Sequence, residues 1–329
     1  MRRYLLGRVA QAVVVLWAAY TLTFVVLYLL PSDPVQLQLG AAGIETDKLT
    51  PDQLHQAMAR YGLDRPVLDQ YLTSLGGFLH GNFGTSIAKQ VPVSTLITER
   101  LGPTLALSVS AGVLSLLVGV GLASLASYVR LRPVRLVLSR LPSVGASFPQ
   151  FFVGLLLIQL FAFKLGWLPA TGVTGWTSLV MPSVTIALVT SSMLAQVLMR
   201  SFDETLSQPY VVTARAKGLS RATVQWRHAF RNAILPAMTI LGVVVGLTVT
   251  SAIVVETVFS RNGIGRLAQE SVLVQDVPVV LAIVTLAAAV FVAVNLVVDL
   301  LYPLLDPRIA HVVRPQIRGS RFPRKESRL

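Results

Sequence analysis

Long uncharged stretches are the feature that most constrains this chain. Stretches of ~20 residues without Asp, Glu, Lys or Arg recur along the sequence, and this is the length that a helix needs to cross a bilayer. Charged residues make up only 13% of the 329 residues, about half the share found in soluble domains. The chain is therefore predicted to be an all-α membrane protein, because open strands would leave backbone amides unpaired in lipid.

Six transmembrane helices are predicted from these stretches, at residues 9–30, 104–128, 141–163, 178–199, 233–255 and 277–298. The first follows Arg2 and Arg3 and imitates a signal peptide. It is too long for one, however, and no small-residue cleavage motif follows it, so it is interpreted as a retained span. The predicted organisation is an N-terminus with the first helix (1–30), an extracytoplasmic helical insertion (31–103), a five-helix core (104–303) and a basic cytoplasmic tail (304–329).

The predicted insertion carries its own helix signals. Thr50, Pro51 and Gln53 form a capping pattern, with Thr50 as the N-cap and Gln53 reaching back to it. Gly62 is expected to end this first short helix, and Pro66 to begin a second one. The segment is therefore predicted to be a small folded cap outside the membrane.

The distribution of basic residues predicts the orientation. With the N-terminus inside, most of the 28 Lys and Arg residues fall in segments that face the cytoplasm. We therefore expect a multi-pass protein of the cytoplasmic (inner) membrane with both termini in the cytoplasm. The net charge of +13 is assigned to topology and to contact with anionic lipid. No nucleic-acid partner is predicted, because no basic segment is interleaved with aromatic residues.

The polar loop at residues 201–235, between the fourth and fifth predicted spans, is the candidate functional site. Small side chains alternate with cations from Thr213 to Lys217, and Gly218 follows. A short helix with small side chains allows a partner to approach closely, and Gly218 can adopt the positive φ that ends such a helix. The residues alone fit two alternatives, a basic connector lying on the lipid headgroups and a docking site for another protein.

The chain that follows this candidate site is expected to form another helix. Ser220 is the candidate N-cap, and Pro236 is expected to open the fifth span. Four side chains between them are candidates for burial, namely Val224, Trp226, Ala229 and Phe230.

Glu256 and Asn295 are the candidates for a translocation path, because polar groups in membrane spans are often functional. Two other interpretations are favoured. Glu256 lies at the outer end of the fifth span, where it can extend to the interface or pair locally. Asn295 is expected to form a hydrogen bond between helices.

The sequence lacks the signatures of catalysis. It has no Cys, and its four His are scattered, so no metal or thiol site is predicted. No Gly-Lys-Ser/Thr occurs, so any ATP hydrolysis must take place on another chain. No Gly-x-Ser-x-Gly or His-Glu-x-x-His occurs either. The chain is therefore not expected to be an enzyme, and no catalytic residue or cofactor is predicted.

Two motifs in the candidate site carry a family resemblance. Residues 213–220 (Thr-Ala-Arg-Ala-Lys-Gly-Leu-Ser) and 227–236 (Arg-His-Ala-Phe-Arg-Asn-Ala-Ile-Leu-Pro) resemble the cytoplasmic loop of ABC importer permeases. The form is that of the dipeptide, oligopeptide and nickel group, the DppB/OppB type. The acidic residue that opens the broader importer motif is absent here. Further matches follow in the same order, at 3–34, 61–66, 70–71, 81–86, 147–149, 154, 165–170, 259–260, 263–266, 299–302 and 305–308.

The resemblance implies a type I ABC importer permease fold and a coupling helix that sits in a groove of a cytosolic ATPase. The docking contacts it implies are Thr213, Ala214, Arg215, Ala216, Lys217 and Gly218. It also implies a second homologous permease, two ATPase subunits, an extracytoplasmic substrate-binding protein and peptide cargo.

Rival functions stay open at this stage. Nickel or another small ligand is an alternative cargo. An ATP-independent carrier or channel is a second class, which would transport alone and would not need the loop. An intramembrane enzyme would need a catalytic dyad in the spans, and none is found in the sequence.

Overall fold

A computed structural model describes residues 2–29, 39–40, 43–44, 49–61, 64–173 and 175–305. Within these ranges the regular structure is helical, and the one isolated β-bridge joins Thr85 to Pro92. Most of the predicted basic tail, residues 306–329, lies outside the described residues, as does Gly62 of the insertion.

The helices are numbered in chain order. They are α1 (Arg2–Leu29), α2 (Pro51–Tyr61), α3 (Val67–Leu79), α4 (Val93–Tyr128), α5 (Arg132–Ser147), α6 (Gln150–Leu157, continued by the π-helical Ile158–Lys164), α7 (Thr177–Leu206), α8 (Pro209–Ala216), α9 (Arg221–Thr223, the π-helical Val224–Ala229, and Phe230–Val258), α10 (Ile264–Leu273) and α11 (Val277–Leu305).

Five helices in the described part of the chain are long and apolar enough to cross a membrane, within α1, α4, α7, α9 and α11. The third predicted span, residues 141–163, is not one straight helix. Helices α5 and α6 meet at a bend of 99° and make a sixth span only if the pair is counted as one. The bend has a local cause, since Phe148 is extended in front of Pro149, where proline disfavours the helical conformation.

Two predicted helix starts are wrong because proline lies inside the helix rather than at its beginning. Helix α4 begins at Val93 instead of residue 104 and contains Pro103. Pro236 likewise lies inside α9, which already begins at Arg221. A membrane helix tolerates proline when its neighbours satisfy the freed backbone groups. Residues 93–103 therefore belong to a span-forming helix and not to the insertion.

The insertion forms the two short helices that its sequence predicts. At the start of α2, the Thr50 amide donates to Gln53 Oε1 (3.0 Å) and the Gln53 amide donates to Thr50 Oγ1 (3.4 Å), which is a capping box. Helix α3 packs on the bundle, where Tyr71 shares a hydrogen bond of 2.7 Å with Thr21 of α1. A cluster of Tyr20, Phe24 and neighbouring α11 residues lies beneath it.

Helix α7 is the centre of the bundle. Its apolar window is 67% buried, against 11% for α1, and it packs against α4, α5 and α9. Hydroxyl pairs join it to α4, with Ser110 and Ser183 at 2.7 Å and Ser115 and Thr190 at 2.5 Å. Such pairs satisfy polar groups that lipid cannot.

Glycines permit the closest helix contacts. A Cβ added at Gly145 would lie 2.6 Å from Ser192 Oγ of α7. One added at Gly265, in the first turn of α10, would lie 2.6 Å from the Cα atom of Ile253 in α9. The second contact is with backbone, which cannot rotate away as a side chain can.

We expect Gly265→Ala to destabilise the protein, because the added methyl group would push α10 away from the α9 backbone. The cost of such overpacking is about 1–3 kcal/mol. The measurement is the thermal unfolding midpoint of the purified protein in detergent. Gly121→Ala in α4 is the matched control, since a Cβ there meets nothing within 4 Å. An equal or higher midpoint for Gly265→Ala than for the control would contradict the close contact.

Candidate functional site

Helix α8 forms the short helix predicted in the polar loop, and its end is specified by Gly218. Pro209 occupies its first turn, where a missing amide hydrogen costs nothing. Gly218 has φ +79°, its amide donates to Arg215 O (2.9 Å), and the Leu219 amide donates to Ala214 O (3.3 Å). This pair of bonds is a Schellman motif, so the prediction that Gly218 ends the helix is confirmed.

One face of α8 is buried against the chain itself. Val211 and Ala214 pack with Val224 of α9, and Leu206 of α7 lies against this cluster. Of the six residues predicted to dock, Ala214 is therefore directed toward the bundle. The other five are exposed, namely Thr213, Arg215, Ala216, Lys217 and Gly218.

Two residues that the sequence interpretation missed share the exposed face of α8. The Val212 side chain is 65% exposed and that of Tyr210 is 39% exposed. The three-residue spacing of Val211 and Ala214 marks the inward face of a helix, so Val212 was identifiable from the sequence as an outward residue. We call Tyr210, Val212, Thr213, Arg215, Ala216, Lys217 and Gly218 the outward face of α8.

The predicted helix after α8 begins with the N-cap Ser220, as expected, and it is bonded to α8. Ser220 caps it, since Ser220 Oγ accepts a hydrogen bond from the Thr223 amide (3.2 Å). Asn232 Nδ2 of α9 donates to the Tyr210 hydroxyl (3.0 Å), and that hydroxyl donates to His228 O (3.4 Å). These contacts, with the apolar cluster, fix α8 to the helix that follows it.

The predicted burial of four α9 residues is right for Val224 and Ala229, partly right for Phe230 and wrong for Trp226. Val224 and Ala229 are buried and Phe230 is half-buried, as expected. Trp226 is 52% exposed and packs its ring 5.3 Å from that of Phe230. The π-helical turn changes the side-chain register, so ordinary helical spacing does not give the facing of Trp226.

The surface around α8 is strongly basic. Burial, followed by repulsion from Arg130 and Arg215, lowers the pKa of the Arg221 guanidinium. Within the described residues, neither Arg215 nor Lys217 forms an ion pair. Such a surface favours a partner that presents negative charge.

Glu256 has a structural position at the other end of α9. It is fully buried, so it does not extend to the interface. Its hydrogen bonds go to groups on the two neighbouring helices, α4 and α10. Oε1 accepts from Thr104 Oγ1 of α4 (2.6 Å), and Oε2 accepts from the amides of Gly265 (2.7 Å) and Arg266 (3.2 Å). A carboxylate is stabilised at the N-terminus of a helix by the free amides and the helix dipole. Glu256 therefore joins α4, α9 and α10.

The Asn295 side chain also has a hydrogen-bond partner. Its Nδ2 donates to Phe291 O of its own helix (2.8 Å). The expected hydrogen bond to another helix is therefore not the one found. Its side chain lies against Gly242 of α9, and a Cβ added at Gly246 would lie 2.9 Å from Phe291. This G-x-x-x-G pair thus brings α9 close to α11.

No group of three or more His, Cys, Asp or Glu in the described ranges is arranged to hold a metal ion. The residues brought together here are a short exposed helix, its Schellman end and the basic groups beside it. This arrangement can bind a surface.

Comparison with known proteins identifies the family. Residues 93–311 match the binding-protein-dependent transport system inner membrane component family, and residues 1–108 match the N-terminal family of such components. The chain belongs to this family. It is the permease component of an ABC importer and not an enzyme, and it acts with other components of the importer, on which ATP is hydrolysed. The carrier, channel and intramembrane-enzyme alternatives are thereby set aside.

Relatives of this permease cover it almost end to end. It is 38% identical over 312 residues to the glutathione transport system permease protein GsiC of Salmonella paratyphi A. The alignment spans 94% of this chain and 100% of the relative. The GsiC protein of Escherichia coli K12 is 36% identical over the same lengths.

Solved structures confirm the type I importer permease fold. An amino acid ABC transporter crystallised with histidines has a TM-score of 0.50 at 20% identity, covering 64% of this chain and 94% of that one. The inward-facing MetNI methionine ABC transporter has a TM-score of 0.55 at 13% identity, covering 64% and 96%.

We expect Glu256→Gln to lower the stability of the permease by about 1–3 kcal/mol, because Gln has one acceptor oxygen where Glu has two, so either Thr104 or the α10 amides would lose their acceptor. The measurement is thermal unfolding in detergent. Glu204→Gln is the control, since Glu204 forms an exposed i,i+4 pair with Arg200 whose loss changes little. Equal midpoints for the two variants would show that the buried carboxylate does not hold the three helices together.

Proposed function

We propose that this permease pairs with a second, homologous permease, binds two ATPase subunits through the outward face of α8, and imports peptides delivered by an extracytoplasmic binding protein. It lies in the inner membrane with both termini in the cytoplasm. The outward face of α8 is the observation that carries this proposal. It combines a small-residue surface with cations that have no acidic partner among the described residues.

The outward face of α8 suits a groove in a partner. Thr213, Ala216 and Gly218 have small or no side chains, so a partner can approach the helix backbone closely. Arg215 and Lys217 stand beside them and attract acidic side chains at the rim of the groove. Ala214 contributes from the other side, by holding α8 on the bundle. The docking set is therefore five of the predicted residues with Val212 and Tyr210 added.

The attachment of α8 explains how ATP binding would move the membrane helices. Closure of two ATPase subunits carries each docked α8 along. Because α8 is packed on Leu206 of α7 and on Val224 of α9, both long helices tilt with it. This is a two-state rigid-body movement biased by a partner.

Peptides are the proposed cargo. The motifs of the polar loop have the form found in the peptide and nickel group, and the relatives above are named for transport of glutathione, a tripeptide. The orientation follows from the concentration of Lys and Arg in the segments assigned to the cytoplasm.

Reversing the charges of Arg215 and Lys217 to Glu should reduce co-purification of the ATPase subunits about tenfold, since like charges would face the partner. The amount of permease in the membrane should not change, because both side chains are exposed. Arg200→Glu is the control, the same Arg-to-Glu reversal at one 85% exposed side chain of α7, outside α8. Normal co-purification of the double variant would refute docking through this face.

The purified complex in proteoliposomes should take up dipeptides, tripeptides or glutathione when ATP and the binding protein are supplied. The measurement is uptake of labelled peptide, with competition by unlabelled peptide. Gly218→Val is the negative control, in which uptake should fall. A β-branched residue is strained at the φ of +79° that ends α8, so the docking helix would lose its normal end. Uptake of a nickel complex without any uptake of peptide would overturn the cargo assignment and leave the ATPase assignment in place.

A further inference from the structure

Two side chains from the start of α9 bond to the cytoplasmic end of α4. Gln225 Nε2 donates to Ser124 O (2.7 Å), and Arg221 Nη2 donates to Ser127 O (3.1 Å). The Arg221 guanidinium also lies 5.3 Å from the ring centre of Tyr128, within cation–π range. We call these five residues the α4 clasp.

The Arg221 bond uses the chemistry that a helix C-terminus offers. The last four carbonyls of α4, Ser127 O among them, have no amide of their own helix to bond and carry partial negative charge. Arg221 supplies a cationic donor to Ser127 O, directly after the loop that follows α8. The clasp therefore joins the start of α9 to α4, which is not adjacent to it in sequence.

Gln225 has more bonding capacity than it uses. It is only 2% exposed, and within the described residues its Oε1 has no hydrogen-bond partner. The Ser124 hydroxyl, also buried, has none either. One residue thus holds an unused acceptor and the other an unused donor. A small shift along the helices would let Ser124 Oγ donate to Gln225 Oε1, so the pair can stay bonded in two positions.

Gln225 lies in the π-helical turn Val224–Ala229. Such turns are wide, uncommon and often placed at functional sites. Below the turn, Ala229 and Ala233 of α9 pack with Ala123 of α4 and with α7 in one buried cluster. The clasp therefore lies beside helix packing made by small residues. Small side chains let the two helices shift along each other with little steric clash.

Away from the clasp, α4 and α9 are less tightly joined. A cavity of about 230 Å³ lies between them and α11, lined by Ser108, Gly112 and Thr248 among others. A second polar contact lies farther out, where Thr104 of α4 bonds to Glu256 of α9. Side-chain bonds therefore join α4 to α9 near the C-terminal end of α4 and again at Thr104, the twelfth of its 36 residues.

We propose that Arg221 and Gln225 are positioning residues that transmit the movement of α8 directly to α4. This inference rests on the proposed function, since it needs the ATPase to move α8. When α8 carries the start of α9 along, the clasp pulls the end of α4 with it and can stay bonded through a small shift between the two helices. The 20 residues from Ser124 back to Thr104 span about 30 Å of α4, so the movement reaches the outer contact with Glu256.

The first test is Gln225→Met, which keeps the length of the side chain and removes the donor. The variant should assemble with the ATPases and hydrolyse ATP at the unaltered basal rate. Peptide uptake per ATP should fall about 5- to 10-fold, the size of a coupling change when one buried bond is lost. Thr285→Val is the control, because it removes a buried hydroxyl bonded only to Leu281 O of its own helix. Its uptake per ATP should be normal even if its melting temperature falls.

The second test restores the junction covalently. The chain has no natural Cys, so Ser124→Cys combined with Gln225→Cys gives one pair of thiols, which a short bifunctional thiol reagent can join across the space that the Gln225 side chain fills. Without the reagent, this double variant should transport poorly per ATP, and crosslinking should raise uptake per ATP again. A merely structural role would predict a change in melting temperature on crosslinking with no recovery of coupling.

The outcomes separate the two proposals. If the unaltered chain does not assemble with ATPase subunits, the proposed function fails and this inference fails with it. If assembly is normal and Gln225→Met transports as much per ATP as the unaltered chain, only this inference is overturned. It is likewise overturned if the crosslink stops transport, because α4 and α9 would then have to separate during the cycle.

Discussion

Buried polar side chains that bond to backbone groups near helix ends and in the adjoining loops fix where the helices of this permease meet. Glu256 accepts from the first amides of α10, and Gln225 donates to a carbonyl near the end of α4. Arg261, only 1% exposed, donates to Gly172 O and Ser178 O, and burial lowers its pKa. Asp276 accepts from the amides of Ile87 and Ala88. Hydrophobic burial does not distinguish a helix–helix contact from a lipid contact, so such directional bonds supply the specificity.

These junctions explain why a short helix can control a long bundle. Helix α8 has only eight residues, too few for an isolated helix to be stable in water. Its conformation is imposed by Pro209, by the Schellman end at Gly218 and by packing on Val224. A segment held in this way moves with its neighbours rather than bending alone. A load on its outward face is therefore passed to α7 and α9.

The sequence predicted the features that depend on near neighbours in the chain. The capping box at Thr50, the end of α8 at Gly218 and the N-cap at Ser220 are set by local bonds, and all three are present. Features set by distant residues were missed or misjudged. The bonding of Glu256 requires Thr104, 152 residues earlier, and that of Gln225 requires Ser124, 101 residues earlier. No spacing rule in a single sequence reports such contacts, and the family motif identified the loop without giving the inward facing of Ala214.

The cavity between α4, α9 and α11 explains why the polar contacts between α4 and α9 matter for movement. Two helices packed along their whole length would move together whatever their ends did, because close-packed interiors transmit displacement. Here the middle of the α4–α9 pair includes about 230 Å³ of open volume lined largely by apolar residues. The helices can therefore change their separation there at little cost, while the Thr104–Glu256 bond and the α4 clasp hold them together at two levels. Two helices joined at two levels, with open volume between them, can transmit force along the bundle and still change the width of its interior.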